Sequence, residues 1–226
     1  MKGAIVILMK GYNGKSRVNL DKECHKKLID ALAIDLYNAS IDTNILGNLW
    51  DCFIATPDES FLKNCKKEKI PTLNLVPGEL NLIFSQIQKW AIKNDYESII
   101  LCAGDLPLLD GELIDRIKSK IIYDVRKESK SMIVCPSKKN GVSIIAMSPP
   151  DLWMITEQNG IENLHVIKGL NRDSYPYEIL EDPRSYLDID TPEDLKSALD
   201  FMENNPTYTS RLVRKVLNDV FSLIVI

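Results

Sequence analysis

Short apolar runs alternate with helically spaced apolar positions along most of the chain. Residues 4–9 are continuously apolar, the pattern of a strand covered on both faces. Leu28, Ile29, Leu32, Ala33 and Leu36 then fall on one face of a helix. Residues 52–55 predict a second strand, residues 58–67 a charged helix, and residues 72–76 a third strand. Leu80, Ile83, Phe84, Ile87, Trp90 and Ala91 return to helical spacing ahead of a fourth strand over 98–103. A helix over about 111–123 leads to strands over 132–135 and 142–147. After Pro149 the pattern loosens, leaving a strand over 177–180, a loop, and a helix that begins near Pro192. This alternation predicts a single-domain α/β fold: a mostly parallel, mixed sheet with helices on both faces. The domain covers residues 1–205. A tail over 206–226 carries Leu212, Val213, Val216, Leu217, Val220 and Phe221 at amphipathic helical spacing. That face either packs on the domain or contacts a second subunit, which would make a homodimer.

Composition narrows the classes. Of 226 residues, 45% are hydrophobic and 27% charged, as in ordinary folded domains. The net charge of −4 runs against a nucleic-acid partner. Residues 1–9 and 220–226 are apolar but too short to span a bilayer, so no membrane partner is expected. None of the five cysteines forms a C-x-x-C pair, and two histidines support no zinc site. Cys52, Cys102 and Cys135 sit inside apolar runs and read as reduced core residues, which suits a cytoplasmic protein.

In open α/β sheets, ligands bind beyond the carboxyl ends of the strands, and three such places hold distinctive chemistry. After the first strand comes Lys10-Gly11-Tyr12-Asn13-Gly14-Lys15-Ser16-Arg17. Its glycines let the backbone bend and present N–H groups, and its cations suit a triphosphate. A solvated basic turn would look the same. The spacing is neither that of a P-loop nor that of G-x-G-x-x-G. After the fourth strand, Gly104-Asp105-Leu106-Pro107 places a carboxylate where a hard cation such as magnesium could bind. An ordinary turn aspartate is the alternative. Farther on, Asp188 and Asp190 alternate with Leu187 and Ile189, so an extended chain would point both carboxylates to one side. Two like charges held close call for a cation between them. Thr191 and Pro192 read as the N-cap and first residue of a helix, and Asp194 as the acid of a capping box.

Lys10 with Lys15-Ser16-Arg17, then Gly78-Glu79-Leu80-Asn81, Gly104-Asp105-Leu106-Pro107-Leu108-Leu109 and Asp188-Ile189-Asp190-Thr191-Pro192-Glu193-Asp194-Leu195 occur in this order. Together they resemble the 2-phospholactate or phosphoenolpyruvate guanylyltransferases, which help to build the deazaflavin redox coenzyme. The resemblance runs over about residues 3–200. It implies a Rossmann-like fold related to the nucleotide-diphospho-sugar transferases, with GTP and a phosphorylated three-carbon acid as substrates and Mg²⁺ as cofactor. It implies metal binding by Asp105, Asp188 and Asp190, and nucleotide binding by Lys10, Lys15, Ser16, Arg17, Leu80, Asn81 and Asp105. Asp105, Lys15 and Arg17 would be catalytic.

The acceptor end departs from the family's pattern. A Gly-Gly-Thr-Asn stretch is usual there, and this chain reads Asn140-Gly141-Val142-Ser143. In the later loop that precedes His165, Ile161 stands where serine is usual. Gly141, Ser143, Gly160 and His165 are the acceptor-binding positions that the resemblance implies. Other readings stay open: a nucleotidyltransferase for a sugar phosphate or molybdopterin, a metal-dependent glycosyltransferase, or a non-catalytic GTP-binding protein.

Overall fold

A computed structural model describes residues 1–13, 18–42, 49–128, 130–155, 164–205 and 211–224. Its centre is a seven-stranded sheet. The strands are β1 (Gly3–Leu8), β2 (Trp50–Thr56), β3 (Thr72–Asn74), β4 (Ser98–Ala103), β5 (Ser131–Pro136), β6 (Val142–Ser148) and β7 (Tyr177–Ile179). Their order is β3-β2-β1-β4-β6-β5-β7. β1 pairs in parallel with β2 and β4, and β2 with β3. β6 lies antiparallel between β4 and β5, and β7 returns parallel to β5.

The helices are α1 (Lys22–Ile41), α2 (Glu59–Lys67), α3 (Leu80–Lys93), α4 (Gly111–Glu128), α5 (Leu164–Lys168), α6 (Pro183–Tyr186), α7 (Pro192–Asn204) and α8 (Arg211–Ile224). Strand alternation sorts the core into two layers. Ile5 and Ile7 face one layer, with Leu28 and Leu32 of α1, Phe61 of α2, Leu113 and Ile117 of α4, and Leu195 of α7. Ala4 and Val6 face the other, with Ile83, Phe84 and Ile87 of α3 and Ile167 of α5. Cys52, Cys102 and Cys135 are buried free thiols, as their apolar neighbours predict.

Several boundaries follow from identifiable caps. Asp21 accepts from the N–H groups of Glu23 and Cys24 at the start of α1, and Asp58 from Ser60 and Phe61 at the start of α2. Thr191 and Asp194 form the predicted capping box on α7, with Pro192 in the first turn. The helices α5 and α6 have no counterpart in the sequence reading, which left a loop at α6. The segment before α5 is held by fully buried Gln88 of α3, which donates to the carbonyls of Pro150 (3.0 Å) and Trp153 (2.9 Å) and accepts from the Ile155 N–H (2.9 Å).

The tail helix α8 packs on the domain. Val213 and Leu217 are fully buried in the same layer as α1 and α7. Asp35 of α1 accepts from the N–H groups of Leu212 (3.0 Å) and Val213 (2.8 Å), serving as a cap supplied from another helix. Leu217→Ala leaves a cavity in this packed seam and should lower stability by ~2–4 kcal/mol. Equilibrium urea unfolding reads the change. An unaltered midpoint would show that α8 is dispensable to the core.

Two ion networks stitch the C-terminal third to the edge where the strands end. Arg184 donates to both Asp110 oxygens at 3.0 Å, and through Nε to Asp182 at 2.8 Å. Lys138 pairs with Asp194, whose other oxygen accepts from the N–H groups of Asp190 and Thr191, each at 2.9 Å. Burial alone would push both the Asp182 and Asp194 carboxyls up. The Arg184 guanidinium and its N–H outweigh it at Asp182; Lys138 and the two backbone donors do so at Asp194. Both carboxyls end below their ordinary value. A depressed carboxyl stabilises the fold above its unfolded value and loses that contribution as pH falls through its folded one. Urea midpoints should therefore hold steady from about pH 7 to 5 and fall below about pH 4. Arg184→Met should weaken that acid dependence, and an unchanged slope would remove Asp182 as a contributor.

Candidate functional site

The carboxyl ends of β1 and β4 open into a cleft of about 700 Å³. Parallel pairing places Leu8 opposite Ala103, so the two strands end level. The Gly104 N–H continues the ladder to the Leu8 carbonyl at 2.9 Å. A side chain at residue 104 would collide with the Met9 sulfur, and its Cβ would stand 2.5 Å from the Leu8 oxygen. Only glycine permits this approach. It carries Lys10 and Asp105 past the sheet edge side by side, and both line the cleft.

The second acidic segment is bound to the first through the backbone. The Ile189 N–H donates to the Asp105 carbonyl at 3.0 Å. Ile189 is fully buried in the core, while Asp188 and Asp190 on either side keep partial exposure. The predicted alternation is thus realised without a ladder strand. The Arg184 network and the capping box fix the same segment from both ends. Among the described residues, no group of three or more His, Cys, Asp or Glu side chains stands ready to hold a metal ion.

Asp105 lines the cleft and Asp188 and Asp190 are not among its lining residues; on another side, α3 begins after Gly78 and Glu79. Leu80, Gly78, Ile83 and Phe84 line the cleft and give it an apolar side. Glu79 makes no side-chain cap bond, which leaves the first-turn N–H groups without a side-chain acceptor at the cap. The Asn81 Oδ1 is buried and meets no hydrogen-bond donor among the described residues, and Asn81 itself is not among those that line the cleft. An orphaned buried acceptor is costly unless a ligand supplies the missing donor.

The hairpin between β5 and β6 forms a further wall. The Ser137 N–H donates to the Gly141 carbonyl (3.0 Å) and the Gly141 N–H to the Lys138 carbonyl (3.1 Å), with Asn140 at φ 62° closing the turn. Gly141, Val142 and Ser143 line the cleft. The Ser143 hydroxyl donates to the Cys135 carbonyl at 3.1 Å, so its proton anchors the hairpin and its contribution to the cleft is as lining. His165 lies exposed on α5 and is not among the residues that line the cleft. Lys15, Ser16, Arg17, Gly160 and Ile161 lie outside the described residues.

The structure therefore gathers Lys10, Leu80, Asp105, Gly141 and Ser143 around one cleft and ties Asp188 and Asp190 to it through Ile189. Ser137 and Lys138 escaped the sequence reading. Ser137 lines the cleft, and Lys138 joins the hairpin to α7 through Asp194. A pair of lysines in a short turn between two apolar strands was the available signal.

Comparisons with known proteins bear on the family and the fold. Residues 3–222 match the family described as Guanylyl transferase CofC like, so the match extends into α8. The chain is 25% identical over 207 residues to a 3-phospho-D-glycerate guanylyltransferase of Colwellia psychrerythraea, covering 87% of this chain and 90% of that protein. A structure from Desulfovibrio desulfuricans G20, described as a nucleotide-diphospho-sugar transferase, superposes with a TM-score of 0.76 at 16% identity. It covers 99% of this chain and 97% of its own. The 4-diphosphocytidyl-2C-methyl-D-erythritol synthase of Anaerococcus prevotii gives a TM-score of 0.58 at 15% identity, over 89% and 96% of the two chains. These likenesses establish the nucleotidyltransferase fold, and the match over nearly the whole sequence places the chain in the CofC-like guanylyltransferase family.

Proposed function

We propose that this protein transfers GMP from GTP to a phosphorylated three-carbon acid and releases pyrophosphate. The observation that carries the reading is that Lys10 and Asp105 line one cleft with an apolar wall that starts at Leu80, while a backbone bond ties the Asp188–Asp190 segment to Asp105. An apolar wall suits a nucleobase, and the orphaned Asn81 Oδ1 needs a donor such as the N–H groups of guanine. The Colwellia relative acts on 3-phospho-D-glycerate, which joins 2-phospholactate and phosphoenolpyruvate as a candidate acceptor.

The reaction asks little of acids and bases. The acceptor phosphate is ionised near neutral pH, so one of its oxygens can attack the α-phosphorus directly. The new P–O bond forms as the bond to the bridging oxygen of the β-phosphate breaks, and pyrophosphate carries that electron pair away. The barrier is mainly the approach of two anions. Lys10 offers a positive charge to the phosphates, and Lys15, Ser16 and Arg17 join it in this reading on the sequence alone. Gly141 and the hairpin backbone shape the acceptor side, together with Gly160 and His165 as the resemblance implies.

The donor set fits magnesium. Asp105, Asp188 and Asp190 offer hard carboxylate oxygens from two segments joined by a backbone bond. Magnesium takes one or two carboxylates and completes its shell with water and substrate phosphates, so it needs no preassembled protein cluster. Those three residues would hold one or two such ions between them, and once bound the metal would neutralise phosphate charge between the reacting groups.

Pyrophosphate release from GTP and Mg²⁺, with each phosphoacid supplied in turn, tests the reaction class and the acceptor together. Release with one acid and none without an acceptor is expected. GTP binding with no release for any of them would overturn the catalytic reading and favour a binding role, with Val142 and Ile161 as the altered positions.

Asp190→Asn should lower turnover about 10²-fold with little change in the urea midpoint. Near-normal turnover would strike Asp190 from the metal set.

A further inference from the structure

The turn that follows β1 is held from an unexpected quarter. Gly11–Asn13 forms a single 3-10 turn immediately before the basic segment. Its backbone is gripped by Asp58, which lies beyond β2 at the head of α2. The two oxygens of Asp58 divide the work. Oδ1 accepts from the Ser60 N–H (2.9 Å), the Ser60 hydroxyl (2.7 Å) and the Phe61 N–H (3.1 Å), which caps α2. Oδ2 accepts from the Tyr12 N–H at 2.9 Å. Gly11 has φ 71°, and a Cβ there would stand 2.5 Å from that same Oδ2, so the turn closes onto the carboxylate itself.

Further contacts brace the same joint. The Tyr12 ring meets Phe61 edge-on at 5.3 Å, and its hydroxyl donates to Asp30 at 2.7 Å. Asn64 of α2 donates to the same Asp30 oxygen at 2.8 Å. Pro57, next to Asp58, lines the cleft with Lys10 and Gly11. A carboxylate beside a basic loop would repel a triphosphate if it were there to bind one. Here its charge is spent on neighbouring N–H and O–H donors, and what it supplies is geometry.

We propose that Asp58 is the positioning residue of the nucleotide loop: one oxygen caps α2 and the other fixes the Tyr12 backbone, so that the path of the chain from Lys10 to Asn13 is set by α2. The inference rests on the reading of the cleft as a triphosphate site. It adds a residue that contacts neither substrate and acts through the backbone of the loop.

The two oxygens make the test selective. Asparagine caps helices as well as aspartate does. In Asp58→Asn the single amide oxygen can keep the cap, but the amino group then faces the Tyr12 N–H, and two donors cannot bond. Ser60→Ala is the converse variant: it removes one donor to the capping oxygen and leaves the Tyr12 contact in place. Three quantities are measured on each full-length protein: thermal midpoint, hydrogen exchange of the Tyr12 amide, and binding of inorganic triphosphate and GTP.

For Asp58→Asn we expect faster Tyr12 exchange and a dissociation constant raised about tenfold for both triphosphate and GTP, with a thermal midpoint close to that of Ser60→Ala. Once an acceptor is in hand, KM for GTP should rise by a similar factor while kcat changes less. Ser60→Ala should bind both ligands as the parent does. Unchanged Tyr12 exchange in Asp58→Asn, or faster exchange with unchanged triphosphate affinity, overturns the proposal. A parent protein that binds neither triphosphate nor GTP overturns the reading of the cleft instead, a different result from a parent and a variant that bind equally well.

Discussion

The in-register pairing of β1 with β4 is the constraint on which the rest of the cleft depends. Parallel strands that end level deliver their next residues to the same edge, and here those residues are Lys10 and Asp105. The pairing persists one step past the strands because Gly104 can bring its N–H onto the Leu8 carbonyl. A shift of one residue would turn every core side chain of β1 to the opposite layer. The two buried layers therefore enforce the register of the edge at which Lys10 and Asp105 meet.

From that edge the structure reaches outward through backbone bonds. Asp105 accepts from Ile189, Asp194 from Asp190 and Thr191, and Asp58 from Tyr12. In each case an acidic residue or its carbonyl organises a neighbouring segment. Among the described residues that line the cleft, the charged ones are Lys10 and Asp105, which suits the proposed reaction, whose barrier is electrostatic and whose nucleophile arrives already charged.

Much of this was legible in the sequence where the signal is local. The apolar runs over 4–9, 52–55, 98–103, 132–135 and 142–147 became β1, β2, β4, β5 and β6 with small changes at the ends. Thr191, Pro192 and Asp194 announced their capping box because its partners are three residues apart. The helices α5 and α6 were hidden because five and four residues are too few to display a helical period. The ties that shape the site were hidden for a different reason. Asp58 and Tyr12 are 46 residues apart, Lys138 and Asp194 56, so no spacing rule connects them. Asp58 was readable as the start of a helix, but its second bond exists only once the sheet has formed. The tail showed its apolar stripe plainly, whereas its partner on α1, with Asp35 as a distant cap, is a property of the folded chain.

One antiparallel strand sits in an otherwise parallel sheet, and it bears on how such a cleft can diversify. A parallel neighbour for β5 needs a crossover of a dozen or more residues, usually through a helix on the sheet face. Because β6 runs backwards, the chain turns from Pro136 to Val142 within one short hairpin at the mouth of the cleft. That hairpin meets the helices through the ion pair of Lys138 with Asp194 and needs no crossover helix of its own. Its residues can change without disturbing the strands that lead to Lys10 and Asp105. If the hairpin borders the acceptor as proposed, acceptor preference can change on a short stretch of chain while the sheet edge that carries Lys10 and Asp105 stays as it was.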